Sequence, residues 1–415
     1  MNFAKILSKK IASKKAVVGI MGMGYVGSAL AELITGVGFN TLGFVRRLEK
    51  AANINKEKNK KLKATTNISL LKTCDIILVC VQTPIYKDKT PDLRFLKKAI
   101  LQISKYLRKG SLIIIESSVP VGTTRNILLP ILQKTNLKPC TEFFLAYSPE
   151  RVDPGNKEFR LKDIPKVVAG LDKNSKDLTF MFYQQMIKKA VPVSSLETAE
   201  MVKLFENTFR LVNISFVNEL ADYTKSLGVD MWEIVSAAST KPFGFLAHYP
   251  GPGVGGDCIP VVPYYILDNA KRRGISLKLI EQAGKINDRQ PQKVVKRALK
   301  IMSLTNDKKK KYKVLLVGLS YKPDVDDVRE SPALRIWQIL KGYGVSVSYH
   351  DPFVPNMNGL SSKQLSKDVV AKHDMVIITT DHSNIEYLRL ALYNRPILDT
   401  RNVYKDKKLP NVYTL

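Results

Sequence analysis

Cys258 lies in the stretch GPGVGGDCIPVVP, residues 251 to 263, between a glycine-rich approach and an Ile-Pro exit. Glycines let a backbone come close to a bound molecule and prolines stiffen the chain beyond it, so the segment suits presentation of a thiol nucleophile; an idle loop can have the same composition. Lys203 and Asn207 stand at i and i+4 of a long helical pattern, which puts an ammonium and an amide on one face where both can hydrogen-bond a reacting oxygen. The same spacing also describes a polar stripe on an exposed face. Gly22-Met23-Gly24-Tyr25-Val26-Gly27 fits G-x-G-x-x-G: Gly22 makes the turn, Gly24 admits a pyrophosphate and Gly27 lets a helix pack closely. The acid that would bind an adenosine ribose about 20 residues on is absent, because the second strand ends in Val45, Arg46 and Arg47. Those arginines either meet a 2′-phosphate or are surface charges. Four histidines, at 248, 350, 373 and 382, none beside a Ser or Cys nucleophile, give no local support for a His-based triad or a metal centre.

These residues need elements to hold them. The run AVVGIM leads into GMGYVG and then SALAELITGVG, which reads as strand, glycine turn and helix closing at Gly36 or Gly38. Further apolar runs come at TLGFV, DIILVCV, SLIIIE and FFLAYS, separated by helical stretches such as RFLKKAILQISKYL, and this alternation implies a parallel sheet covered on both faces. A long helix is expected from residue 195, opened by a capping box of Ser194 and Glu197. After the charged linker LTNDKKKKYK the alternation restarts with KVLLVGLS, ALRIWQILKGYG, VSVSYHD, DMVIITT and RPILDT, a second and smaller doubly wound unit. Three domains are expected: 1–194, dinucleotide-binding; 195–305, helical and central; 306–415, the second doubly wound unit.

A 45% hydrophobic content can bury ample core. No apolar run spans a bilayer and the start lacks a secretory signal, so a cytoplasmic location is expected. Phe3, Ile6, Leu7 and Ile11 sit at near-helical spacing among lysines, a pattern compatible with weak membrane-surface contact though not with insertion. Four cysteines at irregular spacing give neither a disulfide framework nor paired metal-ligand motifs, and Cys74 and Cys80 read as small buried thiols. The net charge of +29 is scattered without interleaved stacking aromatics. That distribution favours a solvated lysine-rich surface over nucleic-acid binding, with attraction of an anionic ligand second.

Taken together, GMGYVG, CVQTP, ESSVPVGTT, YSPERVDPGN, AEMVKLFENTFRLVNISFVNELA, KPFGFLAHYPGPGVGGDCIP, GLSYKPDVDDVRESPAL and LDTRN, in that order over nearly the whole chain, resemble the UDP-glucose/GDP-mannose dehydrogenase family. KPFGF leading into YPGPGVGG, with SPERVDPGN, most resembles the members that oxidise UDP-N-acetylglucosamine and related N-acetylated sugars. The resemblance implies two Rossmann-like parallel-sheet domains joined by a long central helix, a homodimer or higher homo-oligomer, and NAD or NADP as cofactor. It also implies oxidation of C6 of a UDP-sugar, from alcohol to carboxylate, in two hydride transfers. Cys258 would carry the thiohemiacetal and thioester, Lys203 and Asn207 would stabilise the oxyanion, Glu150 would manage water and protons, and Ser118 would occupy a position usually held by threonine. Gly22, Gly24, Tyr25, Val26, Gly27, Arg46, Thr83 and Arg329 would face the cofactor. Lys322 and Arg401 would contact the UDP-sugar, and the loop from Phe243 to Gly256, with Gly244, Phe245 and Gly255, would bed the sugar.

The sequence departs from the family where chemistry is concentrated. His-Cys-Ile-Pro-x-Asp-Pro becomes Asp257-Cys258-Ile259-Pro260-Val261-Val262-Pro263, so Val262 replaces the catalytic aspartate. Asp257 would raise the thiol pKa unless Lys203 offset it. With Val45 in place of the ribose-binding acid, reduced turnover is expected. The rival readings are a nucleotide-sugar-binding pseudoenzyme, a related dehydrogenase acting on UDP-glucose or UDP-N-acetylmannosamine, and a hydroxyacid dehydrogenase of the 6-phosphogluconate type; the second doubly wound unit and Cys258 speak against the last.

Overall fold

The computed structural model describes residues 1–57, 59–152, 158–305, 311–405, 407 and 409–415. The Asp-Pro-Gly-Asn end of SPERVDPGN and most of the linker before residue 311 lie outside the described residues. The chain divides into two compact units: residues 1–206 with 264–275, and residues 207–263 with 276–415.

The first unit holds strands β1 (Val18–Met21), β2 (Thr41–Phe44), β3 (Leu62–Thr65), β4 (Ile76–Val79), β5 (Ser111–Ile115), β6 (Phe143–Tyr147), β7 (Lys166–Gly170) and β8 (Ala190–Pro192) in the order β3-β2-β1-β4-β5-β6-β7-β8. From β3 to β6 all neighbours are parallel. The side-chain period of two sends Ile76 and Leu78 into one core with Leu30 and Ile34 of the helix Tyr25–Gly36. It sends Ile77 and Val79 into another with Leu96, Ile100 and Ile103 of the helix Arg94–Tyr106. Both faces are therefore covered, as a buried parallel sheet requires. β7 runs antiparallel to β6, which sequence alternation did not disclose. Among the described residues no α-helix lies between these two strands, in keeping with an antiparallel pair, which unlike a parallel one needs no crossover connection.

Two expectations are corrected here. The first helix, Phe3–Ala12, buries Leu7 and Ile11 in the core that includes Phe182 of the helix Lys173–Gln184, so its apolar stripe is a packing face rather than a membrane-surface face. The long helix, Leu196–Ser226, is capped one residue later than expected: Ser195 Oγ accepts from Thr198 N at 3.0 Å, while Glu197 accepts from Arg125 Nε at 2.7 Å. Leu196 is fully buried, and that burial sets the register.

The second unit contains β9 (Lys313–Val317), β10 (Ser346–His350), a hairpin of β11 (Asn356–Met357) and β12 (Leu360–Ser361), β13 (Met375–Ile378), β14 (Ile397–Asp399) and β15 (Val412–Thr414). Its main sheet has the order β10-β9-β13-β14-β15, parallel throughout. Leu316 and Ile377 enter a core with Val294, Ile336 and Trp337, and Leu315 and Ile378 enter another with Ile385 and Leu390. Two α/β units built on parallel sheets and a long helix are thus the observed fold class. No helix among the described residues is long and apolar enough to cross a membrane.

Candidate active site

The glycine turn lies at the carboxyl ends of β1 and β4, where strand order reverses and open α/β sheets bind their ligands. Gly22 has φ +99°, and a methyl group added there would lie 2.6 Å from the Cys80 carbonyl oxygen. At Gly27 it would lie 2.0 Å from the Gly22 carbonyl oxygen, whereas at Gly24 it would meet nothing within 4 Å. Gly24 also caps the adjoining helix without a side-chain bond, so first-turn N–H groups are left for an anion. Two glycines thus shape the turn and the third leaves space; this cradle fits the pyrophosphate of a dinucleotide. Tyr25 is half exposed and Val26 half buried. Val45 is buried in the core and Arg46 is exposed. Thr83, after β4, donates to the Ser118 carbonyl at 2.7 Å and accepts at its own carbonyl from the Tyr265 hydroxyl, which ties the loops after β4 and β5 together.

Lys203 and Asn207 are 6% and 5% exposed, so the pair is not a polar stripe on an open face. Lys203 Nζ stands 3.7 Å from Glu150 Oε2, and Glu150 accepts the Val152 N–H. Burial pushes the Glu150 carboxyl above its ordinary range, against the pull of the Lys203 and Lys166 cations. Asn207 Nδ2 is buried and makes no hydrogen bond among the described residues, an orphan donor of the kind a ligand satisfies.

In the second unit the segment before Cys258 is held at several points. Gly251 N donates to Asn218 Oδ1 at 2.9 Å, Val254 N to Asn287 Oδ1 at 2.8 Å and Gly256 N to the Arg329 carbonyl at 2.9 Å. A methyl group at Gly255 would lie 2.6 Å from Tyr321 Cβ, so this glycine serves packing against its own chain. Phe243 is 70% exposed and Phe245 43%, with Gly244 between them at φ +70°. Arg401 Nε donates to the Thr379 carbonyl at 2.9 Å, and its Nη1 would be 3.3 Å from a methyl group at Gly251, which sets it beside the glycine loop. Lys322, in the loop after β9, accepts the Ser320 hydroxyl at its carbonyl. The carboxylate of Asp257 is ion-paired with Arg329, which also grips Asp327, so within this unit the charge beside the thiol has a cationic partner in Arg329. Val262 is 1% exposed, opens the helix Val262–Arg272 and donates its N–H to the Cys258 carbonyl at 2.9 Å. Cys74 is a buried thiol whose pKa burial pushes up to about 12.

Sequence reasoning passed over three buried charges. Glu200 accepts Gly122 N at 2.5 Å, Thr124 N at 2.9 Å and Thr124 Oγ1 at 2.6 Å, clasping the VPVGTT loop to the long helix one turn before Lys203. Burial pushes its pKa up to about 7 against those donors. Glu116 and Lys166 form a buried pair at 2.5 Å. The signal was present in SLIIIE and PKVVAG, where a charge abuts an otherwise apolar strand.

Comparison with known proteins agrees with this geometry. Residues 46–187 match the NAD binding domain of the UDP-glucose/GDP-mannose dehydrogenase family, residues 197–289 its central domain and residues 315–406 its UDP binding domain. The chain is 32% identical over 411 residues to a UDP-N-acetyl-D-mannosamine dehydrogenase of Pyrococcus horikoshii, covering 94% of this chain and 96% of the relative. It is 34% identical over 387 residues to a UDP-N-acetyl-D-glucosamine 6-dehydrogenase of Pseudomonas aeruginosa, covering 89% and 91%. The structure of UDP-D-ManNAc dehydrogenase from Pyrococcus horikoshii superposes with a TM-score of 0.88 at 31% identity, covering 96% of this chain and 98% of that one. The chain belongs to the UDP-glucose/GDP-mannose dehydrogenase family of nucleotide-sugar oxidoreductases, with NAD as its cofactor and a UDP-sugar as its class of substrate.

Proposed function

We propose that this protein oxidises C6 of a UDP-N-acetylhexosamine to the uronate through a covalent intermediate on Cys258. The observation that carries the reading is the buried Lys203 ammonium 3.7 Å from Glu150, with the orphan amide of Asn207 one turn along the helix. Gly22, Gly24, Tyr25, Val26, Gly27, Thr83 and Arg329 would hold NAD, which when bound would accept one hydride per molecule, so that the two oxidations consume two molecules in turn. Lys203 and Asn207 hold the C6 oxygen and stabilise its negative charge. The Cys258 thiolate adds to the aldehyde to give a thiohemiacetal, whose oxidation leaves a thioester. Glu150 takes a proton from water as that water attacks the thioester, which releases the carboxylate and regenerates the thiol. Ser118 orders the loop through its carbonyl bond with Thr83. Lys322 and Arg401 grip the nucleotide-sugar phosphates, and Phe243 to Gly256 bed the sugar.

The division at residues 194 and 305 is the functional one within this reading. Phe205, Phe209, Phe216 and Tyr223 are exposed at four- and seven-residue spacings on the long helix, and this aromatic stripe is the surface by which two copies would pair. Relaxed cofactor choice also belongs to the reading. Val45 offers no hydrogen bond to a ribose, and the exposed Arg46 is free of any ion pair among the described residues.

The test is steady-state cofactor reduction with UDP-N-acetylglucosamine, UDP-N-acetylmannosamine, UDP-glucose and GDP-mannose, each with NAD and NADP. Turnover is expected on an N-acetylated UDP-sugar, with NADP accepted beside NAD. Turnover on UDP-glucose alone would sink the substrate assignment, and a strong NAD preference would make Arg46 a surface residue. Binding without turnover on any sugar would identify the pseudoenzyme.

Val262→Asp is expected to raise kcat by about tenfold or more, since a positioned acid or base contributes ~100-fold or more to rate. It should also lower the melting temperature, because the carboxylate enters a buried site. Adding Asp257→His brings no further gain, because that change removes the partner of Arg329 rather than an uncompensated charge. Unchanged or lower kcat in folded Val262→Asp would show that another group already fills the role.

A further inference from the structure

We propose that the buried pair of Lys166 and Glu116 positions Glu150 and sets how readily it exchanges a proton, an inference that rests on the proton-handling role proposed for Glu150. Lys166 opens β7 and Glu116 directly succeeds β5; their exposures are 4% and 1%. Lys166 Nζ lies 2.5 Å from Glu116 Oε2 and donates to the Pro149 carbonyl at 3.1 Å, the peptide directly preceding Glu150. Glu116 is fixed in turn: its N–H donates to the Val79 carbonyl at 3.0 Å and its carboxylate accepts the Tyr183 hydroxyl. Tyr183 also places its ring 5.0 Å from Lys166 Nζ.

A pair this deeply buried is a poor stabiliser, since removing two charges from water costs about as much as their attraction returns. Apolar residues would serve the ends of β5 and β7 as well. What the pair adds is a cation and an anion behind a working carboxylate. Among the described residues Glu150 is faced by Lys203 from the long helix, Lys166 from β7 and Glu116 from the end of β5, with Cys80 after β4 and Tyr147 of β6 as further titratable neighbours. Neighbouring Arg151 is engaged with Glu206. Lys166 favours the ionised form of Glu150 and Glu116 opposes it, so removing either one shifts the balance in opposite directions. The hydrogen bond to the Pro149 carbonyl meanwhile fixes the backbone from which the Glu150 carboxyl projects toward Lys203.

The experiment tracks the Glu150 carboxyl directly, by infrared difference spectra of full-length protein against Glu150→Gln across a pH series, and in parallel by the pH dependence of kcat. Wild type, Lys166→Met, Glu116→Gln and the double variant are compared, with circular dichroism confirming the fold. The Glu150 titration should move up by about one pH unit in Lys166→Met, down by a similar amount in Glu116→Gln, and return near the wild-type position in the double variant. Should Lys166→Met fail to fold, Lys166→Arg, which retains the cation and leaves the titration in place, together with Glu116→Gln, carries the comparison. A titration that stays put in folded Glu116→Gln, or that moves the same way in both single variants, overturns the inference. If Glu150→Gln leaves the acid limb of kcat unchanged, the role proposed for Glu150 fails instead, and the inference with it.

Discussion

Cys258→Ser is expected to abolish uronate formation, by at least about a thousandfold, while UDP-sugar binding stays nearly intact. A serine hydroxyl is a far weaker nucleophile near neutral pH than a thiolate, and only the covalent adduct lets the aldehyde be oxidised to the acid level. The substitution should not disturb the loop. Its backbone is held by Asn218, Asn287 and the Arg329 carbonyl, and none of those bonds uses the thiol. The Asp257–Arg329 ion pair likewise survives the exchange. Chromatographic assay of the sugar product, with calorimetry for binding, separates the two effects. A trace of aldehyde is compatible with the scheme, whereas full uronate production by folded Cys258→Ser would remove the thiol from it.

Lys203→Met should lower kcat by about a hundredfold to a thousandfold with much less change in substrate affinity, because the ammonium acts most strongly where negative charge develops on the C6 oxygen. The variant also loses the cation nearest Glu150. Burial already raises that carboxyl, and without Lys203 it should rise further. A carboxyl whose folded pKa lies above its unfolded value stabilises the protein at low pH, and the contribution is lost as pH rises through the folded value. Melting temperatures of Lys203→Met should therefore fall more steeply with rising pH, from the unfolded glutamate range upward, than those of wild type. Stopped-flow cofactor reduction and a pH series of melts test both parts. A variant with unchanged kcat would remove Lys203 from the chemistry, and a flat melting difference would mean that its charge does not bear on Glu150.

The order of strands and helices was largely legible because burial on two faces writes itself as apolar runs: DIILV and SLIII are the central strands β4 and β5, and KVLLV is β9. The short strands β3 and β8 were not, since LKAT and AVP are half exposed and carry no such signature. The candidate site was partly legible. Glycine spacing located the cofactor turn, and the i, i+4 relation paired Lys203 with Asn207. No spacing could bring Glu150 to Lys203, which lies 53 positions later, because that proximity comes from packing of the long helix against the strand ends.

By itself the sequence determined the family, the two α/β units and the identity of the groups able to react, since these depend on residue type and local period. Only the tertiary structure decided the state of those groups. It buried Lys203 and Asn207, gave Asp257 to Arg329, and put the Lys166–Glu116 pair behind Glu150. The physical reason is that charge state depends on distance and desolvation, and both are fixed by contacts between residues far apart in the chain.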